Sequence, residues 1–324
     1  MDLGQAGRCS ILILTVATAH LAAQQTSSRD VTVQMRHVDY HVDSSIVLRI
    51  QFLRGALKPT STEHAPYFDD KNSFTLAIDS ARVSLVPAQL GELLNRYTFA
   101  YPGSPLRHLS LRVEKGQIRQ QGTMKGISFT ILGDLTLTPL GELRLHPTSV
   151  KAEGIAVGGL MKVFGLNLEK LVKLRGVRGA RIDKDDFYLD PAALLPPPLV
   201  KGRVNAVQVT DTAIALTFHP PDSAKVKELG VPDSKVTNYM YYRGNVLHFG
   251  KLTMHDTDLL IEDAEPGDPF DFFLDQYKAQ LVAGYSRTRA DDGLTVVMQD
   301  WAKSPDLPAK KPKGRRDGGT EKTK

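Results

Sequence analysis

The sequence predicts an α+β protein: a long curved antiparallel β-sheet wrapped around two or three amphipathic helices, with additional β-hairpins in the C-terminal half. Three observations lead there. Apolar and polar residues alternate at period two over long stretches, helical spacing occurs in only three places, and turn-forming residues separate the alternating runs.

The first element is "HVDYHVD", residues 37–43. In a strand, His37, Asp39, His41 and Asp43 share one face, about 6.6 Å apart at twice the strand rise, and Val38, Tyr40 and Val42 share the other. Two histidines on one face are a possible zinc pair. A strand with polar side chains outward and apolar ones inward shows the same alternation, and no second His-rich stretch offers a third ligand, so a strand with one wet face is the better reading and no metal is expected.

"FTLAIDSARVSLV" (Phe74–Val86) continues the alternation and leads into "VPAQLGELLNRY" (Val86–Tyr97). The latter reads as a short helix with Pro87 in its first turn and Leu90, Leu93, Leu94 and Tyr97 inward. "LSLRVEKGQIRQQG" places Leu109, Leu111 and Val113 on one face, with Lys115–Gly116 as a turn. In "KGISFTILGDLTLTP", Ile127, Phe129, Ile131, Leu135 and Leu137 form one dry face of a long strand. "GELRLHPTSVKAEG" (Gly141–Gly154), "ARIDKDDFYLD" (Ala180–Asp190) and "NAVQVTDTAIALTF" (Asn205–Phe218) repeat the pattern.

The strongest amphipathic helix is "VGGLMKVFGLNLEKLVKL". Its stripe holds Val157, Leu160, Met161, Phe164, Leu168, Leu171 and Val172, with Lys162, Glu169, Lys170 and Lys173 opposite. A third helix is expected in "GDPFDFFLDQYKAQLV", with Asp268 as N-cap, Pro269 next, and Phe270, Phe273, Leu274, Tyr277 and Leu281 inward. "PAALLPPPLVKG" (Pro191–Gly202) reads as a stiff connection, because its prolines exclude helix and central strand. Residues Asn238–Asp263 read as a hairpin turning at Gly244–Asn245, and "VAGYSRT" and "LTVVMQDW" as closing strands.

The two ends suggest a compartment. Residues 1–23 carry Arg8 and then an apolar run from Ile11 to Ala23, too short for a span and ending in small residues, as a signal peptide does. Cys9 precedes that run, so the mature chain would hold no thiol and could form no disulfide, cysteine nucleophile or cysteine-ligated metal site. An exported protein without disulfides fits the periplasm or cell envelope of a bacterium. Residues 302–324 carry eight Lys/Arg against three Asp/Glu, an excess of five that equals the net charge of the whole chain. The basic balance therefore belongs to a tail, expected to be disordered and able to touch an anionic membrane surface. The near-neutral body argues against nucleic acid.

No familiar catalytic pattern is present: no G-x-S-x-G, no S-x-x-K with its companions, no H-E-x-x-H and no P-loop. "EDAEPGDPFDFFLD" (Glu262–Asp275) is rich in carboxylates but lacks EF-hand spacing, and "DKDD" (Asp183–Asp186) reads as a charged turn.

From Phe74 to about Pro198 the chain resembles bacterial tubular lipid-binding proteins of the LmeA, phospholipid-binding type. The resemblance is carried by "RVSLVPAQLGELLNRY" followed by "LRVEKGQIRQQGTMKGISFTILGDLTLTPLGELRLHPTSVKAEGIAVGGLMKVFGLNLEKLV". It implies a sheet wrapped around the long helix (residues 30–198) and a lipid or fatty-acyl ligand between them. Residues 199–301 then form a β-rich extension with one helix, in the same or a second lobe. On that basis the ligand would be lined by Ile127, Phe129, Ile131, Leu135 and Leu137 from the sheet and by Leu160, Met161, Phe164, Leu168 and Leu171 from the helix. No cofactor is implied and the protein is not expected to be an enzyme. The alternatives are a structural or protein-interaction module of the envelope, and a metal-dependent enzyme using His37 and His41.

Overall fold

The computed structural model describes residues 29–152, 174, 177–218 and 228–305. The predicted helix over 157–172, and with it Leu160, Met161, Phe164, Leu168 and Leu171, lies outside the described residues, as do the N-terminal 28 residues and most of the basic tail.

The chain is mostly β-sheet with few helices, α+β in character, and its larger sheet curls into a half-barrel. Strands β1 (Val31–Asp43), β2 (Ile46–Pro59) and β3 (Phe74–Leu85) form its antiparallel spine. The β1–β2 turn is held by Asp43, whose carboxylate accepts from the backbone N–H groups of Ser45 and Ile46 at 2.8 and 3.0 Å. After β3 comes helix α1 (Pro87–Leu93), with proline in its first turn as the sequence suggests. It runs on into a π-helical turn, Leu94–Thr98, in which the Phe99 N–H reaches Leu94 O. Leu90, Leu93 and Leu94 are buried as expected, but the wider turn carries Tyr97 out of the stripe, so that the residue is 40% exposed.

The next segment builds a separate six-stranded sheet. It comprises β4 (Leu106–Glu114), β5 (Gln117–Met124), β6 (Ile127–Leu137), β7 (Leu143–Ala152), β8 (Ala180–Asp183) and β9 (Asp186–Leu189), in the order β4-β5-β6-β7-β9-β8. Lys115–Gly116 and Lys125–Gly126 both adopt positive φ at the two hairpin tips, the conformation a two-residue turn needs to match strand twist. Asn95 ties α1 to this sheet by bonding both backbone groups of Leu109 at 2.8 Å.

Pro191–Gly202 is more ordered than a plain connection. Asp190 caps a single helical turn, α2 (Pro191–Leu194), and after Pro198 the chain forms β10 (Leu199–Lys201), parallel to β3. Proline tolerates both positions: the first helical turn needs no donor there, and the three prolines of 196–198 precede the edge strand rather than interrupt it.

The C-terminal half completes the curled sheet. Hairpin β11 (Val204–Val209) and β12 (Ile214–Phe218) adds to β3, and β13 (Tyr239–Gly244) adds to β1. The expected turn at Gly244–Asn245 opens instead into a small hairpin, β14 (Leu247–Phe249) and β15 (Leu252–Met254). That hairpin turns at Gly250, and β16 (Thr257–Asp263) then returns to β13. The predicted third helix is also revised. Phe270–Phe273 is a strand, β17, parallel to β1; a 3₁₀ turn comes next, and α3 begins only at Tyr277 and ends at Ala283. Phe270 and Phe272 are wholly buried on one side of β17 with Asp271 on the other, an alternation that the helical stripe at 270, 273, 274 and 277 overlaps. Strands β18 (Tyr285–Thr288) and β19 (Leu294–Met298) close the order β11-β12-β3-β2-β1-β13-β16-β19-β18. Both sheets and α1 feed one apolar cluster, from Val31 to Met298.

Candidate functional site: an apolar trough inside the curled sheet

The concave side of the larger sheet encloses a cavity of about 130 Å³. Its floor is set by two β-bulges. On β2 the inward residues are Leu48 and Ile50, then Leu53 and Leu57; on β3 they are Phe74, Leu76 and Ile78, then Val83 and Leu85. In both strands inward positions pass from even to odd, and the β2–β3 register shifts between Ile50 and Phe52 and again between Arg54 and Gly55. A bulge inserts one residue, so the apolar series stays inside while the strand bends. From Leu48 to Leu57 the floor runs nine residue steps, or about 30 Å.

The walls come from distant parts of the chain. Leu90 and Leu93 of α1 stand at one side, Leu194 through Pro198 form a strap across another, and Phe272, Phe273 and Leu274 close an end. The volume is close to that of a ~150 Å³ void lined by aliphatic side chains, which stays dry and takes a benzene-sized guest.

Polar groups are few, and Lys71, Asp275, Tyr40 and His41 gather at the end closed by Phe272–Leu274. Lys71 Nζ lies 2.7 Å from Asp275, an ion pair at the rim with both side chains about a third or more exposed. A pair so placed contributes on the order of 0.2–1 kcal/mol. Behind it Tyr40 packs on Phe272 with ring centroids 6.0 Å apart. Burial, and secondarily the Asp275 carboxylate, push its phenol well above the ordinary value, so the hydroxyl stays a neutral donor. Tyr242, also on the lining, has its hydroxyl 3.6 Å from the Met240 sulfur.

His41 borders the same end with both ring nitrogens engaged. Nε2 meets the Asp271 carboxylate, Nδ1 lies 3.3 Å from Asp43 O, and the ring sits edge-on to Trp301 at 4.7 Å. The expected single wet face of β1 is therefore corrected. His37 has φ +48° and stands where β1 exchanges β13 for β17 as its neighbour; it stays in solvent while His41 is closed in. The two histidines form no common ligand pair, and among the described residues no group of three His, Cys, Asp or Glu side chains could hold a metal ion.

The strand residues proposed as lining divide. Leu135 borders a second cavity of about 20 Å³ between α1 and the six-stranded sheet, Phe129 and Ile131 are closed into the core, Leu137 packs against it half-buried, and Ile127 is 49% exposed. Sequence reasoning missed the trough residues because they are spread over eleven elements and the loops between them; the available signal was the density of apolar residues in β2, β3 and the proline strap. The acidic stretch Glu262–Asp275 is occupied internally: Asp263 accepts from the Glu265 N–H at 2.8 Å and from Asn238, and Asp271 holds His41. In "DKDD" the turn is present, and Asp186 accepts from Arg144 and His146 at 2.6 Å. Among the described residues, no helix is long and apolar enough to cross a membrane.

Comparison with protein families, with characterised proteins and with solved structures finds no match.

Proposed function

We propose that the protein binds a lipid or another long apolar molecule in the trough of the curled sheet, as an exported envelope protein of the tubular lipid-binding kind. The observation that carries this reading is the trough itself: a row of aliphatic and aromatic side chains running about 30 Å along the bent strand, with few polar groups on its lining. Burial of apolar surface needs no sequence motif, and about 0.8 kcal/mol per methylene gives roughly 5 kcal/mol gross for six buried carbons. At 130 Å³ the space accepts a chain end without rearrangement, which favours a single acyl chain over two. The basic tail would add attraction to anionic membrane surfaces.

The test is native mass spectrometry of the chain purified from a bacterial envelope, beside Leu76→Trp, which fills the trough from β3, and Leu168→Trp, which probes the amphipathic stripe. A discrete added mass in the parent chain and its loss in Leu76→Trp, with unchanged circular dichroism, is the expected result. A bare mass that takes up no offered lipid would sink the reading.

A second reading, an interaction module, rests on β18, an edge strand exposed at all four residues and preceded by Val282 at 68% exposure. Stable self-association or partner capture abolished by Tyr285→Lys, with no lipid bound, would favour it.

A further inference from the structure

The polar end of the trough specifies more than an apolar chain, and the choice of head group made from it rests on the lipid-binding reading. Each polar side chain on the lining is engaged except one. Lys71 and Asp275 hold each other at 2.7 Å, His41 uses both nitrogens on Asp271 and Asp43, and Tyr242 reaches the Met240 sulfur. Tyr40 makes no hydrogen bond among the described residues, although its ring lines the cavity and packs on Phe272. Tyr40 is only partly buried and its hydroxyl is not sealed among protein atoms, so it is open to a partner from whatever enters the cavity.

The charge pattern narrows that partner. An anionic head beside Tyr40 would face the Asp275 carboxylate and would have to draw Lys71 away from it. A cationic head would compete with Lys71 for the same carboxylate. An uncharged oxygen acceptor disturbs neither group. We infer that the trough takes an uncharged single-chain amphiphile, a long-chain ester or alcohol, whose oxygen accepts a hydrogen bond from the Tyr40 hydroxyl while the Lys71–Asp275 pair stays closed at the rim.

The experiment is displacement of the neutral fluorophore N-phenyl-1-naphthylamine from the full chain by methyl dodecanoate, dodecanoate, dodecyltrimethylammonium and dodecane. Tyr40→Phe is run in parallel, since it keeps the ring that packs on Phe272. Methyl dodecanoate should bind the parent chain more tightly than either charged probe. Tyr40→Phe should weaken that ester about tenfold, or ~1.4 kcal/mol, and leave dodecane unchanged. An equal effect on ester and dodecane, no effect on either, or a preference for dodecanoate would overturn the assignment of the head group while leaving the apolar site standing. Failure of every dodecyl probe to bind the parent chain would overturn both.

Discussion

Asp69 shows how single residues hold the trough in shape. Its carboxylate accepts from Tyr67 at 2.8 Å and also from Tyr277 and Lys278, and so pins α3 to the loop before β3. Burial alone would raise its pKa, but these donors outweigh it and hold it below the ordinary 3.8. A depressed folded-state pKa means stability that is present above the unfolded value and lost as pH falls through the folded one. Acid unfolding should therefore steepen below pH 3.8. Asp69→Asn should flatten that limb and cost about 1.5 kcal/mol at neutral pH, measured by urea titration across pH. Gly55 supplies a second test. A Cβ there would lie 2.3 Å from Ala77 O, within the bulged stretch of the β2–β3 pair, so Gly55→Ala should destabilise by ~2 kcal/mol in the same assay. Neither role was legible beforehand. "HVDYHVD" has the right period for a strand, yet nothing in it announces that His37 takes positive φ and splits the histidines between solvent and core.

Among the elements, those set by local rules agree best with the sequence. Pro87 opens α1, Lys115–Gly116 turns a hairpin, and Ile127–Leu137 is one strand. Phe270–Phe273 departs because helix and strand spacing coincide there over four residues, and the free side of β1 beyond His37 decided in favour of the strand. The strap from Pro196 to Pro198 has its own consequence. Proline restricts the unfolded chain, at about 0.4–1 kcal/mol per compatible site, so replacing the three by Gly-Ser-Gly should lower stability by ~2 kcal/mol. The same change should speed release of any trough ligand, read by stopped-flow dilution, because the strap forms a wall of the site.

For the whole molecule, the decisive fact is that strands from both ends of the chain interleave in one sheet and share one apolar cluster. Such a core should melt as a unit. Trp301 fluorescence, which reports the His41 end of the trough, and far-ultraviolet dichroism, which reports both sheets, should give coincident urea transitions. Two separated transitions would mean that the six-stranded sheet unfolds by itself. The predominance of β-structure was legible from alternation alone. The curl and the trough were not, because they depend on pairings between residues hundreds of positions apart, such as Arg36 with Tyr239.

The exchange of neighbours along β1 also bears on how the chain is made. Synthesis delivers β1 near the start, but the strand that covers its second half, Phe270–Phe273, arrives after more than two hundred further residues. Until then the ribosome carries a nascent chain whose founding strand has an open backbone edge, a template for pairing with the wrong partner. A product stopped short of Phe270 should be insoluble even though most of the sheet is present, and an escort that shields this edge until the chain is complete would have most effect on the yield of native protein.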